Sequence, residues 1–354
     1  MASISTDTAS REDPDRRSEA GSRILRAGVV GLGVGERYLV SYARIPGVEV
    51  HAVCDLDDER LARVAREHEV AHKSSDYRRV TEDPDIDLVS ICSYDDSHVE
   101  QAISAFRHGK HVMIEKPIAL YRQDAEALLR AQQDSGKFIT SNLILRESPR
   151  FKELKQQIEA GDFGEIFAVE GDYVHDILWK ITRGWRGKMA YYSTIFGGGI
   201  HLIDLMRWLI GQEVVEVCGM GNKVLTRDTD YRFDDTFMNV FRFAGGALGK
   251  CLSTFGPQHT KFHALKVYGT KRTFVNDTPD AKMFDGDQPE NQHAVTTPYP
   301  GMRKGDLLPE FVEAIRAGQE PNVGTRDVFR VMDICFAASE AVAKGRTQTV
   351  DFLI

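Results

Sequence analysis

Two short stretches of this chain hold side chains able to move protons. The first is Glu115-Lys116-Pro117, directly after the apolar run His111–Ile114. A lysine at a strand's carboxyl end is held in place when the next residue has its φ restrained by proline. Partial desolvation lowers such a lysine's pKa, so that it relays protons near neutrality. The alternative is a surface lysine paired with Glu115. The second stretch runs from Phe196 through Gly197-Gly198-Gly199 to His201, Asp204, Arg207 and Trp208. The triple glycine admits a close backbone or ligand before a helix that is apolar almost all round and therefore buried. Its polar members recur every three residues and share one stripe. His201, at the start of that helix and facing a cleft, suits a general base for a substrate hydroxyl. The alternative is a core histidine beside an Asp204–Arg207 ion pair. His175, Asp176, Trp185 and Arg186 are candidates for substrate hydroxyls, a sugar-ring face or an anionic group, although Trp185 and Arg186 also suit packing and surface roles.

Such groups need a partner to oxidise or reduce, and the N-terminal part of the chain supplies a binding pattern for one. An apolar run ending at Val30 breaks into Gly31, Gly33, Val34 and Gly35, with Glu36 where GxGxxG would place its third glycine. Glycine is needed where φ turns positive and where backbone must touch phosphate. A following helix N-terminus then faces a pyrophosphate. The run Val48–Cys54 reads as a buried strand, and Asp55 ends it 24 residues past Gly31. A carboxylate there accepts from both adenosine-ribose hydroxyls; the alternative is that Asp55 caps a helix beginning near Asp57. A 2′-phosphate beside Asp55, Asp57, Asp58 and Glu59 meets like charge that Arg60 only partly offsets. NAD(H) is therefore expected over NADP(H), with NADP(H) still possible. Lys116 would then reach over the nicotinamide face.

The remaining sequence describes what must hold these groups. With 354 residues there is room for two domains, each with its own core. A formal charge of −8 and the lack of a basic stripe argue against a nucleic-acid partner. No apolar run approaches membrane-span length. The five cysteines are scattered without metal-ligand spacing, so no metal is expected and a reducing, cytoplasmic setting fits. Residues 1–23 are polar and charged and read as a disordered tail. From 24 to 145, apolar runs at 27–30, 48–54, 86–92, 111–114 and 137–141 alternate with helical spacing. That pattern predicts an α/β fold, a Rossmann doubly wound parallel sheet. From 146 to 354 the pattern predicts an α+β domain with a predominantly antiparallel open sheet. Its signals are a strand at about 165–173 and hairpins at 237–253 and 264–276. A loop is expected at 277–305, with closing helices near 307–317 and 326–344, which could pack back on the first domain.

Together these residues make the chain resemble the glucose–fructose oxidoreductase/inositol dehydrogenase (Gfo/Idh/MocA) family of NAD(P)-dependent oxidoreductases over about 25–353. The resemblance rests on the glycine turn with Asp55 and on SICSYDDSHVEQAISAFRHGKHVMIEKPIAL at 90–120. Further matches are GEI at 164–166, Trp185-Arg186, GGGIHLIDLMRWL at 197–209 and the closing helices after Pro321. It implies that Lys116 binds and polarises the reacting oxygen and that His201 is the acid/base. It also implies that Glu115, Ser93 and His98 line the cofactor side. The implied substrates are sugars, cyclitols, sugar acids or nucleotide sugars, and the implied assembly is a homodimer or homotetramer through the C-terminal sheet. The chain departs from the family pattern at Gly197, where an aspartate often stands four residues before the histidine. Tyr191 or Tyr192 could share the proton work, or Asp204 if its side chain turns toward the site. Hydride transfer at a secondary hydroxyl is the expected reaction. The alternatives are NAD-dependent glycoside cleavage through transient oxidation and a non-catalytic dinucleotide-sensing regulator.

Overall fold

The computed structural model describes residues 23–354; the tail expected over 1–23 lies outside them apart from Arg23. Six strands form the first sheet: β1 (Leu25–Val30), β2 (Val48–Cys54), β3 (His72–Ser74), β4 (Leu88–Ile91), β5 (His111–Ile114) and β6 (Ile139–Ser141). They pair in parallel in the order β3-β2-β1-β4-β5-β6. Adjacent residues enter different cores: Val29 and Val53 pack with Leu32, Leu39 and Leu61, whereas Val30 and Cys54 pack with Ala102 and Phe106. Both faces are thus covered, which is why these strands read as unbroken apolar runs. The order reverses between β1 and β4, and a crevice opens there at the strands' carboxyl ends. The short strand β3 has no apolar run to announce it.

The second sheet has nine strands: β7 (Ile166–Val174), β8 (Val214–Asn222), β9 (Thr236–Phe243), β10 (Leu248–Thr254), β11 (Phe262–Gly269), β12 (Thr273–Asn276), β13 (Ala281–Phe284), β14 (Gln292–Val295) and β15 (Gln348–Thr349). Their order is β14-β13-β12-β11-β7-β10-β9-β8-β15. Every pairing is antiparallel except β7 with β10. The expected loop at 277–305 is corrected here, since it contains β13 and β14. Only Ala281 and Met283 of β13 are buried, too short an alternation to stand out in sequence. One face of the sheet packs on the Ile200–Ile210 helix, with Gly171 of β7 against Leu202. On the other face Phe167, Met238, Val240 and Leu248 are exposed.

The closing helices are Leu308–Ala317 and Thr325–Lys344. Leu308, Phe311 and Val312 join the core of the first sheet beside Leu32, Tyr38, Leu39 and Tyr42. The loop before them is tied to the first domain by the Ser41 hydroxyl, which donates to the Gly305 carbonyl (2.8 Å). Among the described residues no helix is long and apolar enough to cross a membrane.

Candidate active site

A cleft of about 810 Å3 lies between the carboxyl ends of the parallel strands and the second sheet. At one end the three glycines do different work. Gly31 has φ +86°, and a Cβ there would lie 2.5 Å from the Cys92 and Ser93 backbone, so only glycine fits. A Cβ on Gly33 would meet nothing within 4 Å; this residue and Val34 line the cleft. Gly35 does not line it. Its missing Cβ, which would be 2.8 Å from Val29 Cγ1, lets the Leu32–Tyr42 helix settle onto β1. Asp55 lines the cleft, accepting from the Leu32 N–H (2.6 Å), the Asp57 N–H (2.9 Å) and the Arg60 guanidinium (3.2 Å). The helix cap is Asp57, which accepts from the Arg60 N–H at 3.0 Å. These residues fit a dinucleotide: open space at Gly33 beside a helix N-terminus, and a carboxylate one strand away.

Ser93 also lines this end, its hydroxyl donating to Gln101 Oε1 (2.6 Å). His98 does not, contrary to expectation. It is fully buried behind the wall, with Nδ1 2.7 Å from the Pro117 carbonyl and Nε2 3.3 Å from the Ser93 carbonyl. Its ring holds the backbones of two lining segments in register.

At the middle of the cleft, Lys116 and His201 line the same cavity. The Lys116–Pro117 bond is cis, and the Lys116 ammonium donates to the Gly197 carbonyl at 2.5 Å. Burial, then the like charge of Lys304, pushes the Lys116 pKa down to about 7, against the opposing pull of Glu115. Lys116 is therefore not a surface lysine. The buried Glu115 accepts instead from Lys304, from the Tyr38 hydroxyl (2.9 Å) and from Asn142 Nδ2 (3.0 Å). Burial alone would raise the Glu115 pKa, but Lys304 and then Lys116 hold it below the ordinary value. Burial, then the charge of Lys116, holds His201 well below the usual imidazole range, and its Nδ1 has no partner among the described residues.

The stripe below His201 is not a proton relay. Asp204 is bound by Arg146 (2.9 Å to Nε), whereas Arg207 pairs with Glu213 and Asp327, so the Asp204–Arg207 pair does not form. Asp204 faces Arg146 rather than the cleft. Tyr191 is also elsewhere, its hydroxyl bonded to Ser339 (2.5 Å). Tyr192 does line the cleft, and a Cβ on Gly197 would overlap its hydroxyl and come within 2.6 Å of Phe255 Cζ. The phenol thus occupies the direction that a side chain at 197 would take.

The far end is lined by His175, Trp185 and Arg186, as expected, and by Tyr173, Lys180, Lys261 and Lys304, which sequence reasoning missed. Arg186 forms a two-pronged bridge to the buried Asp95 (2.9 Å each), and its Cζ sits 4.1 Å over the Trp185 ring. Burial, then Lys261 and Lys180, pushes His175 down to about 4. Asp176 is exposed and outside the lining. The three missed lysines stand in loops or a one-turn helix far apart in sequence, so no local spacing marked them.

Fold and site together define a dinucleotide-dependent oxidoreductase. The chain belongs to the GFO/IDH/MocA oxidoreductase family. The family's NAD-binding Rossmann-fold model matches residues 25–143 and its C-terminal-domain model residues 151–275. Similar proteins include the myo-inositol 2-dehydrogenase of Thermotoga maritima, 24% identical over 93% of this chain and all of that protein. Another is the levoglucosan dehydrogenase of Pseudarthrobacter phenanthrenivorans, 26% identical over 71% of this chain and 73% of that one. Among solved structures, levoglucosan dehydrogenase in complex with NADH and levoglucosan superposes with a TM-score of 0.85 at 24% identity, covering 93% of this chain and all of that one. This chain is an NAD-binding enzyme of the dehydrogenase class.

Proposed function

We propose that the protein catalyses reversible hydride transfer at a secondary hydroxyl or ketone of a sugar, cyclitol, sugar acid or nucleotide sugar. The observation that carries this reading is the convergence of Lys116 and His201 on the cavity that also holds the glycine turn and Asp55. The names of the similar dehydrogenases, inositol and levoglucosan among them, support polyhydroxylated substrates.

NAD supplies the hydride acceptor in oxidation and the donor in reduction. Gly31, Gly33, Val34 and the Leu32–Tyr42 helix N-terminus would hold its pyrophosphate, Asp55 its ribose, and Ser93 and Glu115 the wall beyond. His201, kept neutral by burial, takes the substrate hydroxyl proton. Lys116, near half-protonated at neutrality, donates to the same oxygen and stabilises the developing alkoxide. Glu115 and Lys304 set the field in which Lys116 titrates. His175, Trp185, Arg186 and Tyr192 bound the space for the rest of the substrate, with Tyr192 filling the place beside Gly197.

This division assigns 24–145 to cofactor binding and 146–354 to substrate binding and assembly. The exposed Phe167, Met238, Val240 and Leu248 on the second sheet support homodimer or homotetramer formation through that face. Five unpaired cysteines support a reducing, cytoplasmic setting.

The test is a panel of sugars, cyclitols, sugar acids and nucleotide sugars with NAD and NADP, read by absorbance of the reduced cofactor. Turnover with NAD is expected for at least one polyol. Lys116→Ala should lower kcat by about a hundredfold or more while leaving the KM for NAD nearly unchanged. Near-normal turnover of that variant would remove the lysine from the mechanism.

A further inference from the structure

The two ends of the cleft differ in charge. Around Asp55 the lining is mainly acidic, whereas the substrate end gathers Lys116, Lys180, Arg186, Lys261 and Lys304. Among the described residues the carboxylates nearest these cations in the lining are Asp95 and, at the middle of the cleft, Glu115, and both are already engaged: Asp95 by Arg186 and Glu115 by Lys304. Lys116 donates to a neutral carbonyl. Lys180 and Lys261 have no carboxylate or hydrogen-bond partner among the described residues. Five basic side chains against two carboxylates leave an excess of positive charge in one partly enclosed space, even with Lys116 titrating at about 7. They sense one another: after burial, the charges that depress Lys180 most are Arg186, Lys304 and Lys261. After burial, the charges depressing Lys261 are Lys304 and then Arg37 of the Leu32–Tyr42 helix. Two nearby imidazoles, His175 and His263, are pushed down to about 4 and 3, with burial the first cause and Lys261 the second in both.

Crowded ammonium groups without counter-charge are unfavourable unless a ligand supplies the anion. The dinucleotide's negative charge belongs to the pyrophosphate assigned above to the Gly31 turn, whereas an oxidised nicotinamide would bring positive charge toward Lys116. We propose that the substrate is a polyhydroxylated anion, its carboxylate or phosphate held by Lys180 and Lys261 at the far end of the cleft. This rests on the dehydrogenase reading above and narrows its substrate class. Lys180 lies on the one-turn Trp179–Thr182 helix and Lys261 on the link into β11, so two elements of the second domain converge on the anion. A neutral polyol offers hydroxyls to the same lysines but leaves their charges uncompensated.

The experiment compares matched substrates with NAD: neutral hexoses and inositols, the corresponding aldonates and uronates, and hexose phosphates. The anionic member of at least one set is expected to show a kcat/KM at least about tenfold higher, the size of one charge-assisted hydrogen bond. Carboxylate and phosphate arms decide which anion is held. Lys180→Met and Lys261→Met should each erase most of that preference through KM, and Lys180→Arg should keep it. The KM for NAD serves as a control: a rise matching the substrate effect would move these lysines to the cofactor and overturn the proposal. Neutral polyols turned over as well as or better than their acids would also overturn it, leaving the dehydrogenase reading intact. Absence of NAD reduction with every polyol would bring down both.

Discussion

Asp55→Ala should convert a strong NAD preference into a weak one. In the structure this carboxylate is positioned by the Leu32 and Asp57 N–H groups and leans on Arg60, with Oδ1 and Oδ2 at 3.2 and 3.3 Å from the same guanidinium nitrogen. Two hydrogen bonds from ribose hydroxyls to a carboxylate contribute about 1.5–3 kcal/mol each. Because the hydroxyls return to water in the variant, the net loss for NAD is about 2–4 kcal/mol, or roughly 30- to 1000-fold in kcat/KM. For NADP the sign reverses. A phosphate charge about 4 Å from Asp55 is repelled by about 4 kcal/mol at an effective dielectric near 20, less where solvent screens it. Removing Asp55 removes that term and leaves Arg60 with Asp57 alone (3.1 Å), free to meet the phosphate. With roughly half of that repulsion screened, the two terms sum to about 4–6 kcal/mol, so the NAD/NADP ratio of kcat/KM should fall by about three to four orders of magnitude. Initial rates with both cofactors measure it, and fluorescence titration with NADH and NADPH checks that binding changes. Asp55→Asn keeps an acceptor for the Leu32 N–H and controls for a disturbed helix start. Adding Arg60→Ala to Asp55→Ala should cancel the gain with NADP. An unchanged ratio in Asp55→Ala would refute the ribose clamp.

Three further outcomes follow from the site. With Lys116 titrating at about 7 and His201 neutral to well below its usual pKa, kcat/KM for oxidation should hold at mildly acidic pH and fall as pH rises through 7. Glu115→Gln removes a charge that retains the Lys116 proton, so the falling limb should move to lower pH; a pH-rate profile with an unmoved limb contradicts this. Gly198→Ala would place a Cβ 2.7 Å from Tyr173 Cε1, overpacking that costs about 1–3 kcal/mol. A thermal melt should register it as a lowered Tm, and an unchanged Tm would count against the tight fit. Arg186→Ala strands the buried Asp95, costing about 3 kcal/mol in urea unfolding as well as substrate affinity. Adding Asp95→Asn should restore part of the stability, and no recovery would show that Arg186 acts through packing on Trp185 instead.

Much of the first domain was legible because its signals are local. Five apolar runs matched β1, β2, β4, β5 and β6, and the glycine turn followed by Asp55 had the right spacing for strand, turn and strand. The misses have physical reasons. β3 is three polar or half-exposed residues, and β13 and β14 pair through backbone with few buried side chains, so neither left a hydrophobic period. The family resemblance put His98 on the cofactor side, yet its ring turns inward to two carbonyls. The every-third-residue spacing of His201, Asp204 and Arg207 suggested one polar stripe; Arg146 and Asp327 from other segments divide it.

The sequence alone pointed to the cofactor class and offered Lys116 and His201 as candidates, since glycine conformations, strand ends and the EKP turn depend on neighbours a few residues away. Only the tertiary structure decided what surrounds them. Lys304 against Glu115, Asp95 against Arg186, Tyr192 beside Gly197 and the gathering of Lys180 and Lys261 in one cleft each join segments distant along the chain. Charge and proton affinity in an enclosed cleft depend on through-space distance and burial, and neither is encoded by spacing in the sequence.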